Sequence, residues 1–251
     1  MSGNKRRIVV IGATSSIAEH CARLWVKETS TSLTLVGRDA QKMQAVAADL
    51  LVRNPQTLCD VRQTDFEDPA AIGRLADEIF AGGPVDIVLI AHGSLPDQGQ
   101  CEQNLAACAE ALKINGISPL LFAEAFVGHM EKANQGTLAI IGSVAGDQGR
   151  KSNYVYGAAK GMVTRYAQGL QHRLARSGVK IVLIKPGPTD TPMTAHLKQK
   201  GVRMASVEEV AQGIVAGIAR GRATIYVPGK WRLIMTVIQH LPRFVFNRMD
   251  I

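Results

Sequence analysis

The stretch Arg7-Ile8-Val9-Val10-Ile11-Gly12-Ala13-Thr14-Ser15-Ser16-Ile17-Ala18 joins a short apolar run to a helix-length amphipathic run through a turn of small residues. The apolar run has the length and composition of a buried β-strand. In a doubly wound α/β fold, such a turn lets backbone N–H groups and a helix N-terminus approach a pyrophosphate. An ordinary turn capped by serine is the alternative. The dinucleotide interpretation predicts contacts from Gly12, Thr14, Ser15, Ser16 and Ile17.

Strand-length apolar runs alternate with helix-length amphipathic runs along the whole chain of 251 residues. This alternation predicts an α/β fold, in which a doubly wound parallel sheet is covered by helices on both faces. No linker, repeat or low-complexity tract interrupts the pattern, so we expect one domain. The predicted strands are Arg7–Ile11, Ser32–Val36, Gln56–Cys59, Val85–Ile90, Gly136–Ile141, Lys180–Ile184 and Thr224–Val227, and the predicted helices are 15–28, 39–51, 69–80, 100–114, 117–132, 153–176 and 206–219.

The second predicted strand ends in Leu35-Val36-Gly37-Arg38-Asp39. In dinucleotide-binding folds an acidic residue at this place binds the ribose 2′-hydroxyl, whereas an arginine suits a 2′-phosphate. Arg38 therefore favours NADP(H), with NAD(H) as the alternative. Asp39 either caps the next helix or turns toward the ribose and reverses the preference. Asp60 and Val61, which follow the third predicted strand, are expected beside the adenine.

The fourth predicted strand ends in Ile90-Ala91-His92-Gly93, at the rim where a nicotinamide would lie. Ala91 and Gly93 are therefore further predicted cofactor contacts. His92 can be interpreted as an acid or base, or as a packed loop histidine held by a hydrogen bond. The second interpretation is favoured because another pair of residues, described next, already suits acid/base chemistry.

Tyr156 and Lys160 lie four residues apart in a predicted helix, which places both side chains on one face about a turn apart. An ammonium there favours phenolate over phenol, so we expect the pKa of Tyr156 to fall below its reference value near 10. A phenol with such a pKa can act as an acid/base catalyst near neutral pH. A surface pair on an amphipathic helix is the alternative for this pattern alone. Ser143, which follows the fifth predicted strand, is the candidate partner.

The composition limits the class of partner. Lys plus Arg number 29 and Asp plus Glu 21, so the formal charge is +8, which suits phosphorylated ligands or an anionic membrane surface. Aromatic residues make up only 5% and no basic run is interleaved with them, so nucleic acid is not expected. No uninterrupted apolar run reaches the roughly 18 residues of a membrane span, which predicts a cytoplasmic protein, soluble or peripheral at the membrane. The cysteines, which lack metal-ligand spacing and predict free thiols without a metal site, are Cys21, Cys59, Cys101 and Cys108.

Two basic segments stand near the end of the sequence. Residues 230–251 mix bulky apolar residues with Lys230, Arg232, Arg243 and Arg248 against the single acid Asp250. This tail suits an interfacial helix broken at Pro242, with its arginines at the headgroups of an anionic membrane. The alternative is a tail that packs on its own domain (residues 1–229) or on a second subunit. Residues 194–204 carry Lys198, Lys200 and Arg203 without an acid, which suits a substrate lid or a solvated face.

Taken together, these residues resemble the short-chain dehydrogenase/reductase superfamily over nearly the whole chain. The resemblance rests on the order and spacing of Asn115, Ser143, Tyr156, Lys160 and the segment Pro186-Gly187-Pro188-Thr189-Asp190-Thr191. It implies a seven-stranded Rossmann fold, an NAD(P)-dependent oxidoreductase and a homo-oligomer. Two motifs depart from the usual pattern: Ile90-Ala91-His92-Gly93 stands in place of Asn-Asn-Ala-Gly, and the first turn has lost its later glycines.

The resemblance also implies roles for the site residues. Tyr156 would be the proton donor or acceptor, and Ser143 would orient the substrate carbonyl. Lys160 would bind the nicotinamide ribose and lower the pKa of the phenol, while Asn115 would hold a water in the proton relay. Thr191 would contact the nicotinamide carboxamide, and the further cofactor contacts in its segment would be Pro186, Gly187 and Thr189.

A narrower likeness concerns the substrate. The turn after the first strand, the segment Ala91-His92-Gly93-Ser94-Leu95-Pro96 and the C-terminus are similar to reductases that complete the epimerisation of decaprenylphosphoryl ribose at C2. That likeness implies a 2-keto pentose carried on a polyprenyl phosphate. A 3-oxoacyl or steroid-type reductase is an alternative within the same class, and a non-catalytic NAD(P)-binding scaffold or sensor is the alternative from another class.

Overall fold

A computed structural model of the chain describes residues 5–28, 31–195 and 203–249. Its centre is a seven-stranded sheet in which every neighbouring pair is parallel, with the order β3-β2-β1-β4-β5-β6-β7. The predicted doubly wound α/β fold is confirmed. The strands are β1 (Arg6–Ile11), β2 (Thr31–Gly37), β3 (Leu58–Gln63), β4 (Ile87–Ile90), β5 (Thr137–Ile141), β6 (Lys180–Pro186) and β7 (Thr224–Val227).

Helices connect the successive strands, and two further helices follow the last strand. A π-helical turn, Lys113–Ile117, separates α5 from α6, and a 3₁₀ turn, Val144–Gly146, follows β5. The α-helices are α1 (Ser16–Glu28), α2 (Ala40–Arg53), α3 (Pro69–Ala81), α4 (Gln98–Gln103), α5 (Leu105–Leu112), α6 (Ser118–Ala133), α7 (Tyr154–Arg173), α8 (Val207–Ala219), α9 (Lys230–Gln239) and α10 (Arg243–Phe246).

The sheet carries a separate apolar core on each face. Val10 in β1 faces a core that contains Trp25 of α1, whereas its neighbour Val9 faces a core that contains Phe122 of α6. Because successive side chains of a strand point to opposite faces, a central strand covered on both sides must be apolar throughout. This requirement explains the uninterrupted apolar run of β1, whose last four residues are buried.

The third strand differs from its prediction. The sequence predicts Gln56–Cys59, but β3 runs from Leu58 to Gln63 and pairs with β2 up to Gln63. As the edge strand it alternates partly buried with exposed residues, so its second half carries polar side chains rather than an apolar run. The prediction that Asp60 and Val61 follow the third strand is therefore wrong, whereas their place beside an adenine stays a prediction. Both residues lie within β3.

The predicted helix 100–114 is two helices. Asn104 ends α4 and begins α5, where its Oδ1 accepts hydrogen bonds from the backbone N–H groups of Ala106 at 2.9 Å and Ala107 at 3.2 Å. A side chain that satisfies these free donors is typical of a helix N-cap, and it favours a break at that position. The other predicted helices are confirmed to within a few residues at their ends.

The helical run from Leu105 to Ala133 is long and apolar enough to cross a membrane by length and composition, with a mean hydropathy of 1.3 over its most apolar 18 residues. Within the fold, however, α6 packs on the sheet and buries Phe122, Phe126 and Met130 completely. This is the position of a core helix in a layered α/β domain.

Candidate active site

The carboxyl ends of the central strands open into a cleft of about 680 Å³. Gly12 lines this cleft and has a left-handed φ of 80°. A Cβ at this position would lie 2.6 Å from the backbone nitrogen of His92. Only glycine combines this conformation with so close an approach of two strands. The turn after Gly12 leads directly into the N-terminus of α1, which faces the cleft.

Most of the predicted cofactor contacts share this cleft. Sequence reasoning missed several other side chains in its wall, among them Lys42, Phe66 and Glu67. Phe66 and Glu67 reach the cleft only through the packing of separate elements. Asp60 and Val61 do not line it. The predicted contacts that do are Gly12, Thr14, Ser15, Ser16, Ile17, Arg38, Ala91, Gly93 and Thr191.

Two cationic side chains, Arg38 and Lys42, line the cleft near the start of α2. Arg38 is exposed, and Lys42 Nζ pairs with Asp39 Oδ2 at 3.5 Å. Asp39 caps α2 by accepting a hydrogen bond from the Lys42 backbone N–H at 3.0 Å, and this bond, as the main cause, holds the pKa of Asp39 below its usual value. The structure therefore supports the helix-cap interpretation of Asp39, and the carboxylate is engaged with its own helix.

A smaller cavity of about 100 Å³ adjoins the cleft and holds the predicted catalytic side chains. The two cavities lie side by side, because they share wall residues, among them Ser15, Ala91 and Thr191. Residues distant in sequence meet here because the ends of β4, β5 and β6 lie side by side. The predicted residues in the wall of the smaller cavity are Asn115, Ser143, Tyr156, Lys160, Pro186, Gly187 and Thr189.

Lys160 is the most deeply placed cation of the site. Its residue is only 2% exposed, and its Nζ donates a hydrogen bond to the carbonyl oxygen of Ile141 at 3.1 Å. Burial away from water disfavours the charged form and lowers the pKa of Lys160 to about 8. An ammonium has three donors, so two remain for a ligand beside the one that Ile141 accepts.

Tyr156 differs from the expectation for its ionisation. Burial of the phenol raises the pKa of Tyr156, and a side-chain hydrogen bond with Ser143 lowers it only in part. Lys160 Nζ lies 5.9 Å from the centroid of the ring and donates to Ile141 instead of the phenol oxygen. The predicted decrease in pKa is therefore wrong for this arrangement, because loss of water outweighs the distant charge. The phenol stays protonated at neutral pH.

Ser143 is held by the turn that follows β5. Its Oγ accepts a hydrogen bond from the backbone N–H of Ala145 at 3.1 Å and caps the 3₁₀ turn. Glycines let this turn press against α7: a Cβ at Gly146 would lie 2.6 Å from the Lys160 carbonyl, and one at Gly157 would lie 2.9 Å from the Ala145 carbonyl oxygen. The close packing fixes Ser143 relative to the helix that carries Tyr156.

Asn115 lies buried in the π-helical turn between α5 and α6. Its Nδ2 donates to the Ala111 carbonyl oxygen at 2.9 Å, and its Oδ1 accepts from the Ser94 backbone N–H at 2.8 Å. The side chain thus ties the loop after β4 to this turn. Irregular π turns of this kind are frequent at functional sites.

His92 is a packed loop histidine held by a hydrogen bond, which confirms the second of its two interpretations. The Ser118 hydroxyl donates its only hydrogen to the Phe66 carbonyl oxygen at 2.7 Å, so it must accept the 2.9 Å hydrogen bond from His92 Nε2. Burial, aided by the charges of Lys160 and Arg38, lowers the pKa of His92 to about 3. The imidazole is therefore neutral in the pH range in which the protein would work, with its proton on Nε2.

A buried ionic cluster lies behind Ser143, and sequence reasoning missed it. Asp147 Oδ1 pairs with Lys185 Nζ, and its Oδ2 accepts a hydrogen bond from the Tyr226 hydroxyl at 2.9 Å. The side chains of Lys185 and Asp147 are only 6% and 2% exposed. Lys185 directly precedes Pro186 and Gly187, so the cluster joins the Ser143 turn to the loop after β6.

We expect Asp147→Asn to destabilise the protein strongly, because it leaves the Lys185 ammonium buried without a counter-charge. Removing one partner of a buried ion pair typically costs about 3–5 kcal/mol. Urea unfolding near neutral pH measures the change. The double variant Asp147→Asn/Lys185→Met removes both charges and should recover most of the loss, whereas equal losses in the single and double variants would show that the pair itself is not responsible.

The basic segment predicted as a substrate lid extends over Lys198 and Lys200, which lie outside the described residues. On its N-terminal side, Thr191 begins a 3₁₀ turn, Pro192–Thr194, and Met193 and Thr194 line the smaller cavity. The lid interpretation stays a prediction.

The fold and the site define a class of protein that the comparisons confirm. Residues 6–201 match the short chain dehydrogenase family, so the chain belongs to this family of oxidoreductases. An uncharacterised oxidoreductase encoded in the mprA 5′ region of Streptomyces coelicolor is 28% identical over 251 residues, covering 99% of this chain and 97% of that protein.

Two solved structures share the fold. A short-chain dehydrogenase from Sphingobium yanoikuyae in complex with NADPH aligns with a TM-score of 0.80 at 21% identity, over 98% of this chain and 96% of that one. A short chain dehydrogenase from Burkholderia cenocepacia in complex with NADP aligns with a TM-score of 0.82 at 17% identity, over 98% and 97% of the two chains. At these identities the likeness concerns the architecture.

Proposed function

We propose that this protein is an NADP(H)-dependent carbonyl reductase that also catalyses the reverse oxidation of the alcohol. The observation that supports this most directly is that Ser143, Tyr156 and Lys160 line one small cavity beside a larger cleft. The cavity offers a proton donor and an orienting hydroxyl where a carbonyl oxygen can bind. The cleft offers room for a dinucleotide.

The residues of the cleft fit a nicotinamide dinucleotide. Its volume of about 680 Å³ lies in the usual range of ligand sites, and small residues at the N-terminus of α1 suit a pyrophosphate. Arg38, beside the start of α2, suits a 2′-phosphate, while Asp39 caps that helix and pairs with Lys42. This arrangement favours NADP(H) over NAD(H), and the complexes of two structural relatives with NADPH and NADP agree with it.

The dinucleotide supplies the hydride chemistry when bound. Tyr156 donates a proton to the carbonyl oxygen, and its raised pKa keeps the phenol protonated for this step, which suits reduction. Ser143 orients the same oxygen from the turn after β5. Lys160 uses its remaining donors for the nicotinamide ribose, and Asn115 keeps the loop after β4 in place for the proton relay.

The walls of the smaller cavity combine hydroxyl groups with a larger apolar surface. The hydroxyls of Ser94, Ser143 and Tyr156 suit the polar groups of a sugar, whereas the apolar part suits a lipid or acyl chain. Together with the likeness in sequence, this supports a keto-pentose carried on a polyprenyl phosphate. A 3-oxoacyl or steroid-type reductase remains the rival within the same class.

Two measurements test the proposal. Oxidation of NADPH with a panel of ketones and keto-sugars separates a reductase from a non-catalytic scaffold or sensor, which would bind the dinucleotide without turnover. Mass spectrometry of lipid extracts from a deletion strain tests the substrate, since we expect a polyprenyl-phosphate keto-pentose to accumulate. Turnover of ketones without that accumulation would support the reaction and contradict the lipid-linked substrate.

We expect Arg38→Ala to weaken the binding of NADPH about ten- to hundredfold and the binding of NADH very little. A charge-assisted contact with the 2′-phosphate is worth about 1.5–3 kcal/mol, and NADH lacks that phosphate. Dissociation constants from nucleotide fluorescence measure both. The exposed arginine Arg165, which lies on α7 outside the cleft, provides the control Arg165→Ala. Equal losses for the two dinucleotides would show that Arg38 does not read the phosphate.

A further inference from the structure

The C-terminal helix α9 has two unlike faces. Trp231, Ile234, Met235 and Ile238 are partly or fully buried on one side, at the i, i+3, i+4 and i+7 spacing of a helical face. Arg232, Leu233, Thr236, Val237 and His240 are exposed on the other. We call the second set the outer face of α9.

The inner side of α9 is held against the candidate active site. The Trp231 indole lies over Gly187, where a Cβ would come within 1.9 Å of its Nε1. At the other end, Gln239 Nε2 donates to the Asp147 backbone carbonyl oxygen at 3.0 Å. Helix α9 therefore packs on its own domain, which is one of the alternatives that the sequence left for the tail. It contacts both the Ser143 turn and the loop after β6.

This packing leaves an apolar and basic surface uncovered. Leu233 and Val237 on the outer face are 71% and 55% exposed, and Phe244 of α10 is 66% exposed. No Asp or Glu occurs from residue 210 to residue 249. The basic side chains of the tail, none of which pairs with a carboxylate among the described residues, are Lys230, Arg232, Arg243 and Arg248.

We propose that the outer face of α9, together with α10, docks on an anionic lipid bilayer. Exposed bulky apolar residues flanked by arginines are what an interfacial helix presents to lipid tails and anionic headgroups. Because the inner face of the same helix touches the site, docking holds the catalytic pocket close to the lipid surface. The docking stands on exposure and charge alone. Only the benefit for a lipid-linked substrate rests on the proposed function.

Charge argues against a second copy of the chain as the occupant. A symmetric contact would place the same surface patch on both sides, so Arg232 and Arg243 of one copy would face basic residues of the other. Like charges without a neutralising carboxylate oppose such a contact. Anionic headgroups instead neutralise these arginines, and lipid tails accept Leu233, Val237 and Phe244.

The test is co-sedimentation of the full-length protein with vesicles at low salt. Vesicles of phosphatidylglycerol mixed with phosphatidylcholine should bind the protein, and vesicles of phosphatidylcholine alone should bind it far less. The variant Leu233→Ser/Val237→Ser should lose most of the binding. Its matched control is Val52→Ser/Leu105→Ser, which removes the same two residue types from positions that are 83% and 85% exposed elsewhere. The control should bind as the wild type does.

A second pair of variants tests the charge. Arg232→Gln/Arg243→Gln should lower the vesicle partition coefficient about thirtyfold, because each arginine near an anionic surface contributes a factor of roughly five. Arg165→Gln/Arg176→Gln changes the net charge equally at exposed sites away from the tail and should change binding little. Raising the salt concentration should weaken the binding of the wild type.

Three results would overturn the docking proposal. They are a wild type that ignores anionic vesicles at low salt, equal losses in the outer-face and control variants, and a dimer in light scattering that Leu233→Ser/Val237→Ser converts to a monomer. Oxidation of NADPH with a soluble ketone, measured without vesicles, should be the same in the wild type and all four variants. Failure of that assay in the wild type would contradict the proposed reaction and leave the vesicle result unaffected.

Discussion

Replacing Tyr156 by phenylalanine is expected to abolish turnover while the affinity for the dinucleotide stays nearly unchanged. The substitution removes only the phenolic hydroxyl, which lies beside Ser143 and is the proton donor in the proposed reaction. General acid catalysis typically contributes a factor of about 10²–10⁴, so the rate should fall below about a hundredth of that of the wild type. Steady-state NADPH oxidation and nucleotide binding by fluorescence measure the two quantities separately.

The chain offers a matched control in the same helix. Tyr154 lies in the first turn of α7 and is 46% exposed, so Tyr154→Phe removes a similar hydroxyl outside the smaller cavity. This variant should retain the activity of the wild type. If Tyr156→Phe kept more than about a hundredth of the rate, Tyr156 would not be the principal acid.

The sequence predicts best those strands in which burial on both faces requires apolar residues at nearly every position. β1, β4 and β6 are covered on both faces, so their apolar runs mark them directly. β3 lies at the edge, and its exposed positions carry polar residues such as Asp60 and Arg62. An edge strand has no uninterrupted apolar signal, which is why the sequence places the end of β3 four residues too early.

The candidate site divides in a similar way. Contacts that belong to one local motif, such as the turn after Gly12, follow from the sequence because spacing alone brings them together. Phe66 and Glu67 follow the misplaced strand and reach the cleft only through tertiary packing. Asp147 lies four residues after Ser143, yet its partners Lys185 and Tyr226 lie 38 and 79 residues further along the chain. No spacing rule links residues so far apart.

The ionisation of the site was the least predictable feature, because it depends on burial. The Tyr156 and Lys160 spacing predicts that a cation lies near the phenol. It does not reveal that both groups are shielded from water, or that Ile141 accepts a hydrogen bond from the ammonium. Loss of water favours the neutral form of each group, so it raises the pKa of Tyr156 and lowers the pKa of Lys160. Replacing Lys160 by an uncharged residue should therefore lower the activity and raise the free energy of unfolding.

Lys160→Met is expected to lose turnover and dinucleotide affinity and, at the same time, to make the folded protein more stable near pH 7. Folding lowers the pKa of Lys160 from its ordinary value of 10.5 to about 8. Holding the charged form in the folded state therefore costs about 3 kcal/mol at pH values below 8. Methionine fills a similar volume without a charge, so the variant should regain a large part of that free energy of unfolding.

The pH dependence identifies the cause of the gain. Between pH 8 and pH 10.5 the unfolded wild type binds the Lys160 proton while the folded wild type has lost it, so the stability of the wild type rises with pH in this window. The methionine variant lacks this group, and its advantage should shrink across the same window. Urea unfolding at pH 7, 9 and roughly 10.5 measures the difference, with the exposed Lys132→Met on α6 as control. An advantage that stayed constant with pH would show that better packing, rather than the buried charge of Lys160, separates the two proteins.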